Sequence, residues 1–161
     1  MIRVAQQACR RKERRLVILP KVRDPRFITI RRGGLLTDAD HRLLALWAAD
    51  CAEHVLPLFE LAQPGDPRPR HAIALARAWV RGEITMTQAR EAAYEAHRAA
   101  RDAEGAAKEA ARAAGQAVAV AHMADHELGA SAYAIRARMA TSDSATKEYS
   151  RKQELEWQIE R

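Results

Sequence analysis

Hydrophobic residues recur at the spacing of an α-helix along most of the chain, and the clearest example is the segment 36–61. Its apolar positions follow one another every three or four residues, as the buried face of a helix requires. They are Leu43, Leu44, Trp47, Cys51, Val55 and Leu58. Thr37 is a favourable N-cap, and Asp38 and Asp40 complement the helix dipole in the first turn. The pattern predicts a long helix in which Pro57 kinks or shortens the last turn.

Two more helix starts follow this segment. Asp66 precedes Pro67, which places a capping carboxylate before a proline at the first helical position. The helical pattern after it stops near Gly82. Thr85 begins a third helix, which is expected to end near Gly105.

The remaining sequence also favours helix. Residues 106–140 contain no proline, so we expect one or two helices there, bent near Gly115 or between residues 121 and 129. A break at 142–144 precedes a highly charged terminal helix over 145–161. Short connections between such helices favour antiparallel neighbours. The predicted fold class is therefore all-α, an antiparallel bundle of about five to six helices.

The N-terminal part of the chain has a different pattern. Two short β-prone runs, LVIL at 16–19 and FITI at 27–30, are separated by prolines and closed by a pair of glycines. They predict an extended strap or a short hairpin packed on the helices. We expect residues 1–22 to form a basic arm and residues 23–161 to form a single helical domain.

The formal net charge of the whole chain is +6, and the positive charge is concentrated in its N-terminal part. Residues 1–32 contain eleven Lys and Arg residues against two acidic ones, whereas residues 33–161 contain sixteen against nineteen. A basic arm can bind nucleic acid electrostatically. This one has no aromatic side chain on which bases could stack, so a solvated tail is the preferred interpretation.

Hydropathy and cysteine content indicate the cellular compartment in which we expect the protein. No apolar run approaches the roughly 18 residues that a membrane-spanning helix needs, so no membrane contact is expected. Cys9 and Cys51 are the only cysteines and do not form a disulfide framework, which favours the cytoplasm. Cys51 shares a helix face with Trp47, so we expect it to be a small buried hydrophobic residue.

The string His122-Met-Ala-Asp125-His126 is the most suggestive local motif. In a continuous helix, His122 and His126 would share one face, as metal-binding histidine pairs do. A zinc site needs a third ligand, and the sequence indicates none. We therefore predict neither a metal nor another cofactor.

Several histidines and carboxylates could converge between the helices. A pocket built from Asp50, His54, His97, His122 and His126 would bind a small polar ligand or support acid–base chemistry near neutral pH. The alternative is that each histidine lies in the core and bonds to its neighbours. No phosphate-binding loop, dinucleotide fingerprint or nucleophile motif is present, so the sequence does not favour an enzyme.

Five runs of the chain resemble, in the same order, the Imm-5-like immunity proteins of bacteria. These runs are RDPRFITIRRGG (23–34), LTDADHRLLALWAADCAEHVLPLFE (36–60), DPRPRHAIALARAWVRGEITMTQAREAAYEAH (66–97), AARAAGQAVAVAHMADHELGASAYAIRA (110–137) and ELEWQIER (154–161). The resemblance implies an all-helical protein that neutralises a protein toxin, and it implies no catalytic residues. The positions that match the recurrent polar motifs of the family are Asp40, His41, Asp50, His54, Arg70, His97, His122 and His126.

Three functions follow from these observations. The first is a binding protein that neutralises a toxin by occlusion, and the second is a small enzyme or ligand-binding protein that uses the histidine and carboxylate pocket, Asp125 included. The third is nucleic-acid binding through the basic arm, although nucleic acid is not the expected partner. A homodimer stays open as a further alternative.

Overall fold

A computed structural model describes residues 22–161, which form six α-helices after two short 3₁₀ turns. The 3₁₀ turns are Pro25–Phe27 and Ile30–Arg32. The helices are α1 (Asp38–Ala62), α2 (Arg68–Val80), α3 (Met86–Arg101), α4 (Gly105–Ala119), α5 (His126–Ala140) and α6 (Lys147–Ile159). The all-α class and the count of about five to six helices are confirmed for this part of the chain. None of its helices combines the length and the apolar character needed to cross a membrane.

The helices begin where capping groups satisfy the first free backbone donors. Thr37 accepts from the backbone N–H of Asp40 at the start of α1. Thr85 and Gln88 form a complete capping box at the start of α3. Asp66 accepts from the backbone N–H of Arg68, so α2 begins one residue later than predicted.

Pro57 does not shorten α1, contrary to one of the two effects predicted for it. The helix continues to Ala62, five residues beyond the proline. A proline removes only one backbone donor, and the exposed position of Pro57 leaves room for its ring.

The core surrounds α4, which packs against α1, α2, α3 and α5. Its buried positions are Ala107, Ala110, Ala111, Ala113, Ala114, Gly115, Ala117, Val118 and Ala119. Such small side chains allow the neighbouring backbones to approach closely, which is how a chain with few aromatic residues fills its core. At Gly115 a Cβ atom would lie 2.7 Å from Cε1 of His97, so this site on α4 accepts only glycine without a shift of the ring. Cys51 is fully buried in the same core, as predicted, and burial raises its thiol pKa to about 12.

A turn separates α4 from α5 in the region 121–129, where a bend was expected, so His122 and His126 do not share the face of one continuous helix. The backbone N–H groups of Val120, Ala121 and His122 donate to carbonyl groups three residues earlier. These 3₁₀-type bonds tighten the end of α4 and terminate it. His122 therefore lies in the turn, whereas His126 is the first residue of α5.

The FITI run is not a strand, which corrects the expectation of an extended segment there. It is divided between the two 3₁₀ turns, and only Thr29 forms an isolated bridge, with Leu36. Gly33 has a φ of 81°, and a Cβ on Gly34 would overlap the carbonyl of Ile28. Both glycines are therefore needed to fold residues 25–36 back on themselves. The LVIL run and the basic arm through residue 21 lie outside the described residues.

Candidate functional site

The predicted pocket residues do not converge on one cleft. His122, together with His41, lines a cleft of about 390 Å³, whereas His54 lines a second one of about 320 Å³. The two clefts share no lining residue. We name the first the arginine cleft, because Arg23, Arg31, Arg32 and Arg42 contribute to its walls. We name the second the α6 groove, because Ser150, Gln153, Glu154 and Trp157 of α6 contribute to it.

His41 connects the start of α1 to the turn after α4. Its Nε2 lies 2.6 Å from the carbonyl oxygen of Val120, so that nitrogen carries the proton and donates. Its ring also packs against Trp79 of α2, with centroids 5.0 Å apart. His41 is buried and fixes one wall of the arginine cleft.

His122 and His126 lie side by side although they are not on one helix. Their ring centroids are 4.8 Å apart, and Nδ1 of His126 lies 2.6 Å from Oε1 of Gln116. Burial, with His122 as the next cause, lowers the pKa of His126 to about 4. His126 is therefore neutral at pH 7 and donates its Nδ1 proton to the glutamine.

His97 and His122 are neutral for similar reasons. Burial is the main cause that lowers the pKa of each, and nearby arginines lower it further. For His122 these arginines are Arg90 and Arg32. The Nδ1 atoms of both histidines are buried without a hydrogen-bond partner in the described part of the chain. Among residues 22–161, no group of three or more His, Cys, Asp or Glu side chains is placed to hold a metal ion.

Asp125 anchors the N-terminal segment to the turn between α4 and α5. Its carboxylate accepts from Arg23 through both oxygens, at 3.0 and 2.9 Å. This carboxylate is buried, so the pair is shielded from solvent screening more than a surface ion pair. The neighbouring Glu127 is also buried, and burial followed by the charge of Asp125 raises its pKa to about 7.

His54 belongs to a polar cluster beneath α6. Its Nε2 accepts from Arg138, at 3.0 Å, and its Nδ1 lies 3.0 Å from Oε2 of Glu154 without forming a hydrogen bond. The ring stacks on Trp157, with centroids 3.7 Å apart. Glu154 is 2% exposed and also accepts from Gln158. Both ring nitrogens of His54 therefore face protein groups.

The sequence did not identify Glu154 as a site residue. In the terminal helix, the apolar Ile159 is 75% exposed, whereas the polar Glu154 and Gln158 are buried. Glu154 and Gln158 are four residues apart and share one helix face, but this spacing does not show whether that face is buried. An acidic residue at such a position is normally exposed, and its burial depends on partners from α1 and α5.

The other predicted residues lie apart from the histidines. The carboxylate of Asp40 accepts from the hydroxyl of Thr37, at 2.6 Å, and so belongs to the cap of α1. Asp50 pairs with Arg77 of α2 at 2.8 Å. Arg70 is exposed and pairs with Glu60 at 2.6 Å. These contacts join neighbouring helix surfaces, and none of the three residues lines the arginine cleft or the α6 groove.

Comparison with known proteins yields a family but no individual relative. No curated protein and no solved structure matches the chain. The model of the family described as "Imm-5 like putative immunity protein" matches residues 34–161, which include all six helices but not the 3₁₀ turns. The chain belongs to this Imm-5 like family.

Proposed function

We propose that this protein is an immunity protein that binds a toxin protein and neutralises it by occlusion. The observation that carries the proposal is the family match over residues 34–161. A match of this extent includes every helix of the described fold. The proposed partner is therefore a protein toxin, and the proposed location is the cytoplasm.

The contacts of the histidines support binding rather than catalysis. Nε2 of His41 bonds to a backbone carbonyl, and Nδ1 of His126 bonds to Gln116. Nε2 of His54 accepts from Arg138, so this atom is not free to take a proton from a substrate. These contacts hold helices and turns together, and they favour a rigid body whose surface meets a partner.

Occlusion can be tested by co-expressing the chain in bacteria with the toxin encoded beside its gene. We expect growth to be restored and a stable complex to elute as one species in size-exclusion chromatography. Failure of the two proteins to associate, together with unprotected growth, would contradict the proposal.

A His122→Gln variant separates occlusion from an enzymatic mechanism. His122 is half-buried in a turn and has no hydrogen-bond partner at Nδ1, so Gln is expected to preserve the fold. If the protein acts by occlusion, protection and complex formation are both retained. Lost protection with an intact complex would instead support chemistry at this histidine.

A further inference from the structure

The arginine cleft carries more positive charge than the fold neutralises. Two of its four arginines are already paired with carboxylates, Arg23 with Asp125 and Arg31 with Asp38. The other two, Arg32 and Arg42, form no ion pair with any residue between 22 and 161. Both side chains are exposed, so they can turn towards an occupant without breaking an existing contact.

Two further features indicate a positive potential at this site. Arg90 and Arg32 add to burial in lowering the pKa of His122, which lines the cleft. Met86 is the first residue of α3 and also lines the cleft, so the positive end of that helix dipole faces the same region. Potential from several sources favours an anion over a neutral ligand.

The cleft also has apolar walls. Phe27, Trp79 and Met86 line it together with the arginines. Its volume of about 390 Å³ falls at the lower end of the range for small-ligand pockets, roughly 300–1,000 Å³. The expected occupant is therefore a small molecule with both an anionic and an apolar part.

We infer that the arginine cleft binds a small organic phosphate, with the phosphate at Arg32 and Arg42 and the apolar or planar part against Phe27 and Trp79. Two unpaired guanidinium groups match the charge of a phosphate dianion, whereas one carboxylate would neutralise only one of them. Arginine is also suited to phosphate because its planar fork donates two parallel hydrogen bonds. This binding activity is independent of the proposed toxin occlusion.

Titration calorimetry with adenosine 5′-monophosphate, inorganic phosphate and adenosine tests the inference on the full chain at low ionic strength. The nucleotide serves as a probe that carries both parts. We expect it to bind with a dissociation constant below about 1 mM and more weakly as salt rises. Adenosine and inorganic phosphate should each bind at least about tenfold more weakly, because each lacks one part.

Two double variants with the same change in net charge assign the site. Arg32→Ala/Arg42→Ala should weaken nucleotide binding by about tenfold or more, since charge-assisted hydrogen bonds are lost. Arg98→Ala/Arg151→Ala is the matched control, because Arg98 on α3 is exposed, Arg151 on α6 is half-buried and neither arginine lines the cleft. Thermal melting should be nearly the same for both variants and the parent chain.

A third variant tests the apolar wall alone. Phe27→Ala should weaken the nucleotide but leave inorganic phosphate binding unchanged. The inference is overturned if the nucleotide does not bind at millimolar concentration, if adenosine binds equally well, or if the control double variant loses as much affinity. Equal affinity for inorganic phosphate and the nucleotide would overturn the assignment of an organic ligand.

Discussion

Helices α4 and α6 are both held against their neighbours, but through opposite kinds of side chain. The buried face of α4 consists of alanine, glycine and valine, whereas the buried residues of α6 are Glu154 and Gln158. The α4 contacts are stabilised by close packing, which is sensitive to volume. The α6 contacts depend on partners that satisfy a buried carboxylate and a buried amide.

The hydrogen bonds of α6 show what its docking requires. The carbonyl of Gln158 accepts from Trp47 on α1, and its side chain accepts from Ser131 on α5. The carboxylate of Glu154 lies between Arg138 and His54. Packing at α4 should therefore fail when volume is added, and docking of α6 should fail when a polar partner is removed.

The largest effect is expected from Gly115→Leu on α4. The first side-chain atom would already lie 2.7 Å from the ring of His97, a half-buried side chain of α3 that packs against α4 at this position. Overpacking of this kind should cost about 3 kcal/mol of unfolding free energy, measured by urea denaturation. Gly65→Leu is the control, because nothing lies within 4 Å of a Cβ there. Equal destabilisation of the two variants would refute tight packing at α4.

Glu154→Ala should produce the next largest effect. The change removes the carboxylate that lies between Arg138 and His54 and leaves both side chains without this partner. The expected loss of unfolding free energy is about 2–3 kcal/mol. This is below the usual value for a fully buried pair, because Arg138 and His54 are 38% and 26% exposed. Glu156→Ala, at an exposed position two residues away on α6, should change the unfolding free energy by less than about 0.5 kcal/mol.

Hydrogen exchange distinguishes loss of α6 docking from general loosening. In Glu154→Ala, amides of α6 should exchange faster while those of α4 keep their protection, since partial opening affects the element that lost its contacts. Uniform acceleration across both helices would contradict separate modes of stabilisation.

The same contrast explains which parts of the structure could be predicted from sequence. Apolar periodicity and caps at Thr37 and Thr85 located the helices, because those signals are local. The burial of Glu154 could not be predicted, because its partners are 16 and 100 residues away, at Arg138 and His54. The pairing of Asp125 with Arg23 likewise joins residues 102 positions apart.

The separation of the histidines has a similar cause. Their spacing suggested one pocket, but position in space depends on where α4 ends and how α6 docks. The turn after α4 places His122 in the arginine cleft, and the stacking of Trp157 assigns His54 to the α6 groove. Neither feature follows from helical periodicity.

Glu127→Gln tests a second buried carboxyl group, whose pKa is raised to about 7 by burial and by the charge of Asp125. In the folded state the carboxyl group of Glu127 stays protonated above its ordinary pKa of 4.5. The contribution of this group to stability is therefore complete below pH 4.5 and is lost as pH rises to 7. Glutamine remains neutral and avoids this loss. We expect Glu127→Gln to raise the unfolding free energy by about 2 kcal/mol at pH 8 and by almost nothing at pH 4.5. The value at pH 8 is smaller than the full pKa shift would give, because water screens part of the interaction.

Stability curves of both proteins between pH 4 and 8 provide the measurement for Glu127. His126, whose pKa is lowered to about 4, makes both proteins less stable as pH falls from 6.5 to 4, so only their difference reports on Glu127. A difference that does not change with pH would contradict the assignment.

The smallest effect on stability is expected from Arg70→Ala. Its ion pair with Glu60 lies at the surface, with the arginine side chain 62% exposed, in contrast to the enclosed carboxylate of Glu154. Exposed pairs contribute little, so the unfolding free energy should change by less than about 0.5 kcal/mol in chemical denaturation. Arg70 is nevertheless one of the positions at which the resemblance to the family predicts a recurrent polar residue. If Arg70→Ala loses toxin protection but keeps its stability, and Arg98→Ala keeps protection, then Arg70 belongs to the surface that contacts the partner.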